Sequence, residues 1–160
     1  MNIFNISEIV DLGIEKEKKR RDFYGLVAEK FSQKEMKELF AKLRDWEDTH
    51  IKKFTQIRDS IKEPKETEAY EGEFNSYMQA LLDDTLYNNV SPAKFSANVK
   101  TPLEAISYGI GFEKDAIIFF NEMAGYTVDA RKEIVKELIK EEKQHIMYLA
   151  ILKENISKGG

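Results

Sequence analysis

Residues 47–50 read Glu-Asp-Thr-His and residues 142–145 read Glu-Lys-Gln-His, and these two stretches decide how the chain can fold. They contain both histidines of the protein, and each histidine follows a glutamate by three positions. Residues three apart lie on one face of an α-helix, so each Glu–His pair can converge on one point. The pattern therefore predicts two helices that each present a glutamate and a histidine to a common interior.

Four segments of the chain carry apolar residues at the spacing of an amphipathic helix. Three prolines and eight glycines among 160 residues leave room for long, uninterrupted helices. The predicted helices span residues 5–31, 32–61, 101–124 and about 128–156. The fold class is therefore all-α, and the whole chain, residues 1–160, is interpreted as a single domain.

The connection between the second and third predicted helices, residues 62–100, is much longer than the other two. A structureless loop of this length is unusual in a compact domain, so one or two short helices are expected within it, around residues 74–82. Short outer connections with one long middle crossover are typical of ferritin-like four-helix bundles, in which two antiparallel hairpins lie side by side. The chain is predicted to form such a bundle.

Sequence signals mark several helix ends. Ser32 and Glu35 have the spacing of a capping box for the second helix, and residues 101–104, Thr-Pro-Leu-Glu, have the same spacing for the third. Gly125 is expected to end the third helix in the left-handed conformation. Residues 127–129, Thr-Val-Asp, offer two candidate caps for the fourth helix.

Composition excludes several classes of site. The chain has no cysteine, which excludes disulfides, thiolate-bound zinc and iron–sulfur clusters, so any metal must be held by oxygen and nitrogen ligands. The net charge is −4 and basic residues are interspersed with acidic ones, so nucleic acid is not an expected partner. No apolar run is long enough for a membrane span and the N-terminus does not resemble a signal peptide, so cytoplasmic residence is expected.

The third predicted helix carries a glutamate within a mostly apolar stretch. Glu113 follows Gly109 and precedes Ala116, Ile117 and Phe120, and at helical spacing these residues share one face. A lone buried carboxylate is costly, and partnership with a cation removes that cost. This placement indicates that Glu113 is a metal ligand.

An internal repeat selects a glutamate on the first predicted helix. Residues 17–24 align with residues 113–120, because the Phe-Tyr pair that ends the first stretch matches the Phe-Phe pair that ends the second, at an offset of 96. The two Glu-x-x-His motifs repeat at an offset of 95. This register sets Glu17 against Glu113 and makes Glu15 the second choice. Two similar hairpins would pack with approximate twofold symmetry around a shared site.

The predicted metal ligands are four glutamates and two histidines: Glu17, Glu47, His50, Glu113, Glu142 and His145. Four carboxylates and two imidazoles suit two divalent first-row ions, with iron or manganese preferred over zinc. Glu47 and Glu142 are the predicted bridging carboxylates that would hold the two ions close together. No catalytic residue is predicted beyond these ligands.

The motifs resemble the rubrerythrin branch of the ferritin-like di-iron carboxylate superfamily. The resemblance rests on the spacing from Glu17 to Tyr24, the two Glu-x-x-His motifs, the helix of Glu113 and the crossover stretch 77–81. It implies two iron ions, with manganese or a mixed pair as alternatives, and an oxidoreductase that reduces hydrogen peroxide or dioxygen in oxidative-stress defence. A homodimer and a separate redox protein as electron donor are also implied. The main alternative is a protein that binds and oxidises ferrous iron for storage or transfer, and a weaker one is a binding module that keeps only the fold.

Two departures from the rubrerythrin pattern affect the expected activity. Ala116 stands where the family typically has a second glutamate, three residues after the third-helix ligand. In the family that glutamate supports a redox-linked movement of one iron during peroxide reduction. The chain also lacks the four cysteines of a rubredoxin-type domain, so the expected electron donor is a separate protein.

Aromatic and basic residues near the predicted ligands have both functional and structural interpretations. Tyr24 is expected either to hydrogen-bond a ligand carboxylate or to fill the core. Tyr148 has the same two interpretations, and core packing is preferred for it. Trp46, beside Glu47, is interpreted as a packing or interface residue in preference to a redox relay. Arg20 and Arg21 lie one turn after Glu17, close enough to offset the negative charge of the site, but at least one of them is expected to be exposed.

Overall fold

The computed structural model describes residues 6–61, 80, 91–125 and 129–159 of the chain. Within these ranges the chain forms helices and no strands, which confirms the all-α prediction. In chain order the helices are α1 (Ile6–Lys30), α2 (Lys34–Ser60), α3 (Pro92–Asn98), α4 (Pro102–Ala124) and α5 (Asp129–Gly159). Thr127, one of the two candidate caps of the last helix, lies outside the described residues.

The four long helices pair as two hairpins. α1 packs along α2 and α4 packs along α5, and the short connection within each pair makes its helices antiparallel. The hairpins meet where α1 contacts α4 and where α2 contacts α5, while α3 packs against α1. This confirms the predicted bundle with a long crossover, and α3 is a short helix within that crossover. The helix predicted around residues 74–82 lies outside the described residues, except for residue 80.

Helix ends show where local signals decide the structure and where packing does. Thr101 accepts a hydrogen bond from the backbone N–H of Glu104, whose side chain accepts one from the backbone of Thr101, so this capping box is confirmed. The box predicted for α2 is wrong, because Gln33 is the N-cap and buried Met36 takes the third helical position that a glutamate would need. The left-handed stop at Gly125 is also wrong. Its φ is −66°, and its N–H ends the helix with an i to i−3 bond instead.

Two separate apolar clusters fill the bundle, with a layer of buried charge between them. Phe23, Phe40 and Phe112 belong to the cluster near the α1–α2 connection, and Phe54 and Phe120 belong to the cluster at the opposite end. The buried charged layer consists of Lys16, Glu17, Arg20, Glu47, His50, Glu113, Glu142 and His145. Such a layer is stable only when its members are paired or bind cations, so it is the candidate functional centre of the bundle. Within the described ranges, no helix has the length and apolar character needed to cross a membrane.

Candidate metal centre

All six predicted ligands lie in the buried layer, and their donor atoms form two overlapping groups. The first group contains Glu17, Glu47, His50 and Glu142. The second contains Glu47, Glu113, Glu142 and His145. Within each group, one donor atom from every residue lies within 4.8 Å of the others, which is the spacing of ligands around a single ion. Because Glu47 and Glu142 belong to both groups, the arrangement fits two neighbouring ions with shared carboxylates.

In the first group the donor atoms surround Nδ1 of His50. This nitrogen lies 2.8 Å from Glu142 Oε1, 3.4 Å from Glu47 Oε2 and 3.7 Å from Glu17 Oε2. The imidazole therefore faces three carboxylates, each on a different helix. One ion placed among these four atoms would be bound by side chains from α1, α2 and α5.

In the second group the donor atoms surround Nδ1 of His145. This nitrogen lies 3.1 Å from Glu142 Oε2, 3.6 Å from Glu113 Oε1 and 3.9 Å from Glu47 Oε1. Each shared glutamate thus presents one oxygen to His50 and its other oxygen to His145. This is the geometry of a carboxylate that bridges two metal ions.

Unpaired donor atoms test whether the residues fit a pair of metal ions. Six buried ligand atoms have no hydrogen-bond partner: Glu17 Oε2, Glu47 Oε1, Glu47 Oε2, His50 Nδ1, Glu113 Oε2 and Glu142 Oε1. Leaving buried carboxylate oxygens unpaired costs free energy, and native proteins seldom do so without an ion or water at that place. The unpaired atoms belong to both groups, so the residues fit one ion in each.

The electrostatics of the cluster show how it holds protons when it is metal-free. Burial raises the pKa of Glu113 to about 8, and the nearby charge of Glu142 adds to this increase. Burial and the charges of Glu142 and Glu17 likewise raise the pKa of Glu47. Burial lowers the pKa of His145, but its hydrogen bonds to Glu113 and Glu142 outweigh that effect and raise the pKa to about 9. Metal binding must therefore displace protons from the centre.

Charged side chains surround the first group. Arg20 is fully buried and donates from Nη2 to Glu17 Oε1 at 2.5 Å, which leaves Glu17 Oε2 free for a metal ion. On the other side, His50 Nε2 lies 2.6 Å from Glu141 Oε2, and Lys53 donates to the second oxygen of Glu141 at 3.0 Å. A carboxylate bonded to the outer nitrogen of a metal-bound imidazole fixes the ring and makes it more basic.

Uncharged side chains surround the second group. The hydroxyl of Tyr24 donates to Glu113 Oε1 at 2.6 Å, so the structure shows the first of its two interpretations. A Cβ atom at Gly109 would lie 3.5 Å from the Tyr24 ring and 3.3 Å from Leu149, so glycine lets both side chains approach closely. The ring of His145 stacks on Trp46, with centroids 4.8 Å apart and planes 9° from parallel.

Tyr148 does not occupy the core position that was preferred for it. Its side chain is 37% exposed, and its ring stacks on Trp46 with centroids 5.7 Å apart. This happens because Trp46 fills the space beside His145 and leaves Tyr148 on the outside of the helix pair. Trp46 packs as expected, but against a predicted ligand.

Of the other charged residues near the centre, some were correctly predicted from the sequence to lie outside the ligand set, and one had no sequence signal. Glu15 is exposed and pairs with Lys18 at 3.2 Å, away from the cluster, in agreement with the register that favoured Glu17. Of the two arginines, Arg21 is the partly exposed one. Asp115 was missed, although it pairs with buried Lys16 at 2.9 Å. Its position beside other charged residues on α4 gave no signal in the sequence.

Ala116 is fully buried in the second apolar cluster with Phe119 and Phe120. The helix face that would carry an additional glutamate is therefore apolar in this chain. The missing carboxylate is not replaced from elsewhere on α4 within its described length, because the other buried residues of that helix around the centre are apolar apart from Glu113.

Comparisons with known proteins identify the family of the chain and agree with the fold. The sequence profile of the rubrerythrin family matches residues 8–153. A solved structure of a candidate ferritin-like diiron-carboxylate protein from Thermotoga maritima superposes with a TM-score of 0.65. It is 22% identical in sequence, and the match covers 94% of this chain and 95% of that one. No curated protein matches the sequence significantly. The family and the carboxylate–histidine cluster together indicate a protein that binds a pair of metal ions, and the chain belongs to the rubrerythrin family.

Proposed function

We propose that this protein is a cytoplasmic di-iron oxidoreductase that reduces hydrogen peroxide, or dioxygen, in defence against oxidative stress. Its electrons come from a separate redox protein, and it acts as a homodimer. The ligands of the two iron ions are the four glutamates and two histidines of the centre: Glu17, Glu47, His50, Glu113, Glu142 and His145. The same ligands also accept manganese or a mixed pair.

The proposal rests on the orientation of the two shared glutamates, whose two carboxylate oxygens face different histidines. Glu47 and Glu142 each present one oxygen to His50 and the other to His145, so two ions bound there would be neighbours. A pair of ferrous ions held by these residues would supply the two electrons that, with two protons, are needed to reduce peroxide to two molecules of water. A single isolated ion would supply only one of these electrons.

The side chains around the ligands support this chemistry by fixing ligand geometry. Arg20 holds one oxygen of Glu17, and Tyr24 holds one oxygen of Glu113, so both carboxylates have a fixed orientation. Glu141 orients His50 through its outer nitrogen. The apolar clusters on both sides of the layer keep bulk water away from the ligands and strengthen the electrostatic interactions within it.

The second candidate function is ferrous-iron binding and oxidation for storage or transfer. Ala116 favours it, because an apolar residue there removes the glutamate that supports efficient peroxide turnover in the family. The two functions share the same ligands and differ in the oxidant that reacts fastest and in whether iron is released after oxidation.

An anaerobic titration of the di-ferrous protein with peroxide separates the two functions. After bound iron has been quantified, the rate and stoichiometry of oxidation are followed by absorbance, and a parallel sample receives dioxygen. Oxidation of two irons by one equivalent of peroxide, much faster than by dioxygen, is the expected result. Slow oxidation with a preference for dioxygen, followed by loss of iron to a chelator, would favour iron handling and contradict the peroxidase.

A pair of neighbouring glutamates provides the control for ligand assignment. Glu15→Gln changes an exposed side chain and is expected to leave iron content intact, whereas Glu17→Gln removes a buried ligand and is expected to lower it. If the two variants gave the reverse result, the ligand set would be wrong.

A further inference from the structure

We infer that Trp46 and Tyr148 form the path by which electrons from a one-electron carrier protein at the surface reach the metal pair. The inference rests on the proposed redox-active centre and adds the place where its electrons enter. Three aromatic rings lie in sequence from the centre outwards: His145, Trp46 and Tyr148. The first is a ligand, and the last is exposed.

The geometry of the three rings suits electronic coupling. His145 and Trp46 lie nearly parallel, 9° apart with centroids separated by 4.8 Å. Trp46 and Tyr148 are stacked with an angle of 27° and a centroid separation of 5.7 Å. Electron tunnelling falls off exponentially with the gap between groups, and stacked π systems bring orbitals closer than saturated side chains do. Edge-on contacts couple less well, and the contact of Tyr24 with Phe23 is of that kind, at 69° between two fully buried rings.

The equivalent positions on the other hairpin show that this stack is not required by the fold. The offset of 95 that relates the two Glu-x-x-His motifs also sets Trp46 against Glu141 and Tyr148 against Lys53. Glu141 and Lys53 do form a chain from the other histidine towards solvent, but it is an ion pair of saturated side chains. The same two positions therefore carry a charged chain on one side and an aromatic chain on the other.

The surface around Tyr148 fits a small, transient partner. Met147 is 50% exposed and Ile151 is 49% exposed, so with Tyr148 they form a compact apolar patch on α5. A groove of about 310 Å³ runs beside it, lined also by Glu38 and Lys42 of α2. Electron-transfer partners bind through small interfaces that form and separate quickly, which a patch of this size can provide.

The electron balance of the proposed step is simple. One donor molecule is oxidised at the Tyr148 patch, and one metal ion of the oxidised pair is reduced from the +3 to the +2 state. Two donor molecules, each giving one electron, return the pair to the reduced state, and no atom is transferred between the proteins. The donor class is a one-electron carrier such as an iron–sulfur or flavin protein.

The absence of cysteine from the sequence allows a direct test. A single cysteine introduced by Ile151→Cys, beside Tyr148, is labelled with a ruthenium tris-bipyridine photoreductant in the full-length, iron-loaded protein. A flash with a sacrificial donor then injects one electron, and loss of ferric absorption gives the transfer rate. The matched reference is the label at Ile118→Cys on α4, where the native side chain is 69% exposed.

Replacing the central ring should slow transfer from one label only. With the label at position 151, Trp46→Leu is expected to slow reduction by about tenfold or more, because a saturated side chain replaces the ring that stacks on His145. Trp46→Phe, which keeps a ring, should restore part of the rate. With the label at position 118, neither variant should change the rate by more than about twofold.

Two outcomes would overturn the inference. One is an unchanged rate from position 151 in Trp46→Leu. The other is an equal loss of rate from both labels, since that would mean the substitution disturbs the centre itself. Iron content, measured before the flash, keeps this test separate from the proposed function. A protein that retains no iron refutes both, whereas an iron-loaded protein inert towards peroxide refutes only the peroxidase.

Discussion

The two halves of the candidate metal centre have the same types of ligand, but the side chains that contact those ligands differ between the halves. Each half has one terminal glutamate, one histidine and a share in Glu47 and Glu142. We call the half of Glu17 and His50 the charged half, because Arg20 and Glu141 bond its ligands. The half of Glu113 and His145 is the neutral half, because its ligands contact Tyr24 and Trp46.

The difference teaches that ligand type and ligand environment are set by separate parts of the sequence. The helical repeat places a glutamate or histidine at equivalent positions, which provides two similar ion sites. Trp46 and Glu141 each precede a ligand glutamate by one position and face the opposite hairpin. These two equivalent positions carry different residue types. Two ions bound here would therefore have unequal surroundings, one polar and one aromatic, although the residue types of their direct ligands match.

The largest expected effect comes from a ligand that the two halves share. Glu142→Gln removes charge from both groups at once and should abolish stable binding of both ions, whereas Glu17→Gln should retain one ion in the neutral half. Metal content per chain after dialysis, measured by elemental analysis, distinguishes the two. Equal losses in both variants would show that the halves do not bind independently.

The next largest effect should come from the buried arginine of the charged half. Arg20→Met leaves the carboxylate of Glu17 buried without its partner, which should destabilise the metal-free protein by about 3–5 kcal/mol. Added metal should recover much of that loss, because a cation replaces the missing charge. Arg21→Met is the matched control, since its partly exposed ion pairs should contribute no more than about 1 kcal/mol. Denaturant unfolding with and without zinc measures both quantities, and equal effects of the two substitutions would contradict the assigned role of Arg20.

A smaller effect is expected from the corresponding contact of the neutral half. Tyr24→Phe removes the hydroxyl that donates to Glu113 and leaves a buried oxygen less well satisfied, at a cost of about 1–3 kcal/mol in the metal-free protein. The matched control is Tyr148→Phe, whose side chain is partly exposed and should show a change within about 0.5 kcal/mol. A loss at Tyr24 as large as that at Arg20 would erase the distinction between the charged and neutral halves.

The arrangement of the helices was predictable from the sequence, but the contacts that each helix face makes with the opposite hairpin were not. Helical periodicity and the unequal connections predicted the bundle, and the repeat selected Glu17 over Glu15, which is exposed. Glu141 gave no signal, because consecutive helix residues differ by about 100° in direction. Whether position 141 reaches the outer nitrogen of His50 while position 142 faces the inner one depends on how the two hairpins rotate against each other.

The capping box predicted for α2 is absent for a related reason. The spacing of Ser32 and Glu35 satisfied the local rule for a capping box, but burial of Phe31 and Met36 sets the first turn one residue later. A capping interaction contributes about 1 kcal/mol, and burial of a large apolar side chain contributes more, so packing decides the register. At Thr101 the two agree, and the predicted box is present.

The pH dependence of metal uptake gives the last and finest test of the two halves. Glu113, with a pKa of about 8, and His145, with a pKa of about 9, hold protons in the metal-free neutral half at neutral pH. Metal must displace both, and the raised pKa of the shared Glu47 adds to this competition, so affinity should rise as pH increases from 6 to 8, by about tenfold per pH unit for each proton displaced. Trp46 is the only tryptophan and stacks on His145, so quenching of its fluorescence by cobalt reports this half. In Glu113→Gln one of the competing protons is removed, so the slope should fall by about one proton per metal ion; an unchanged slope would show that the protons are displaced elsewhere.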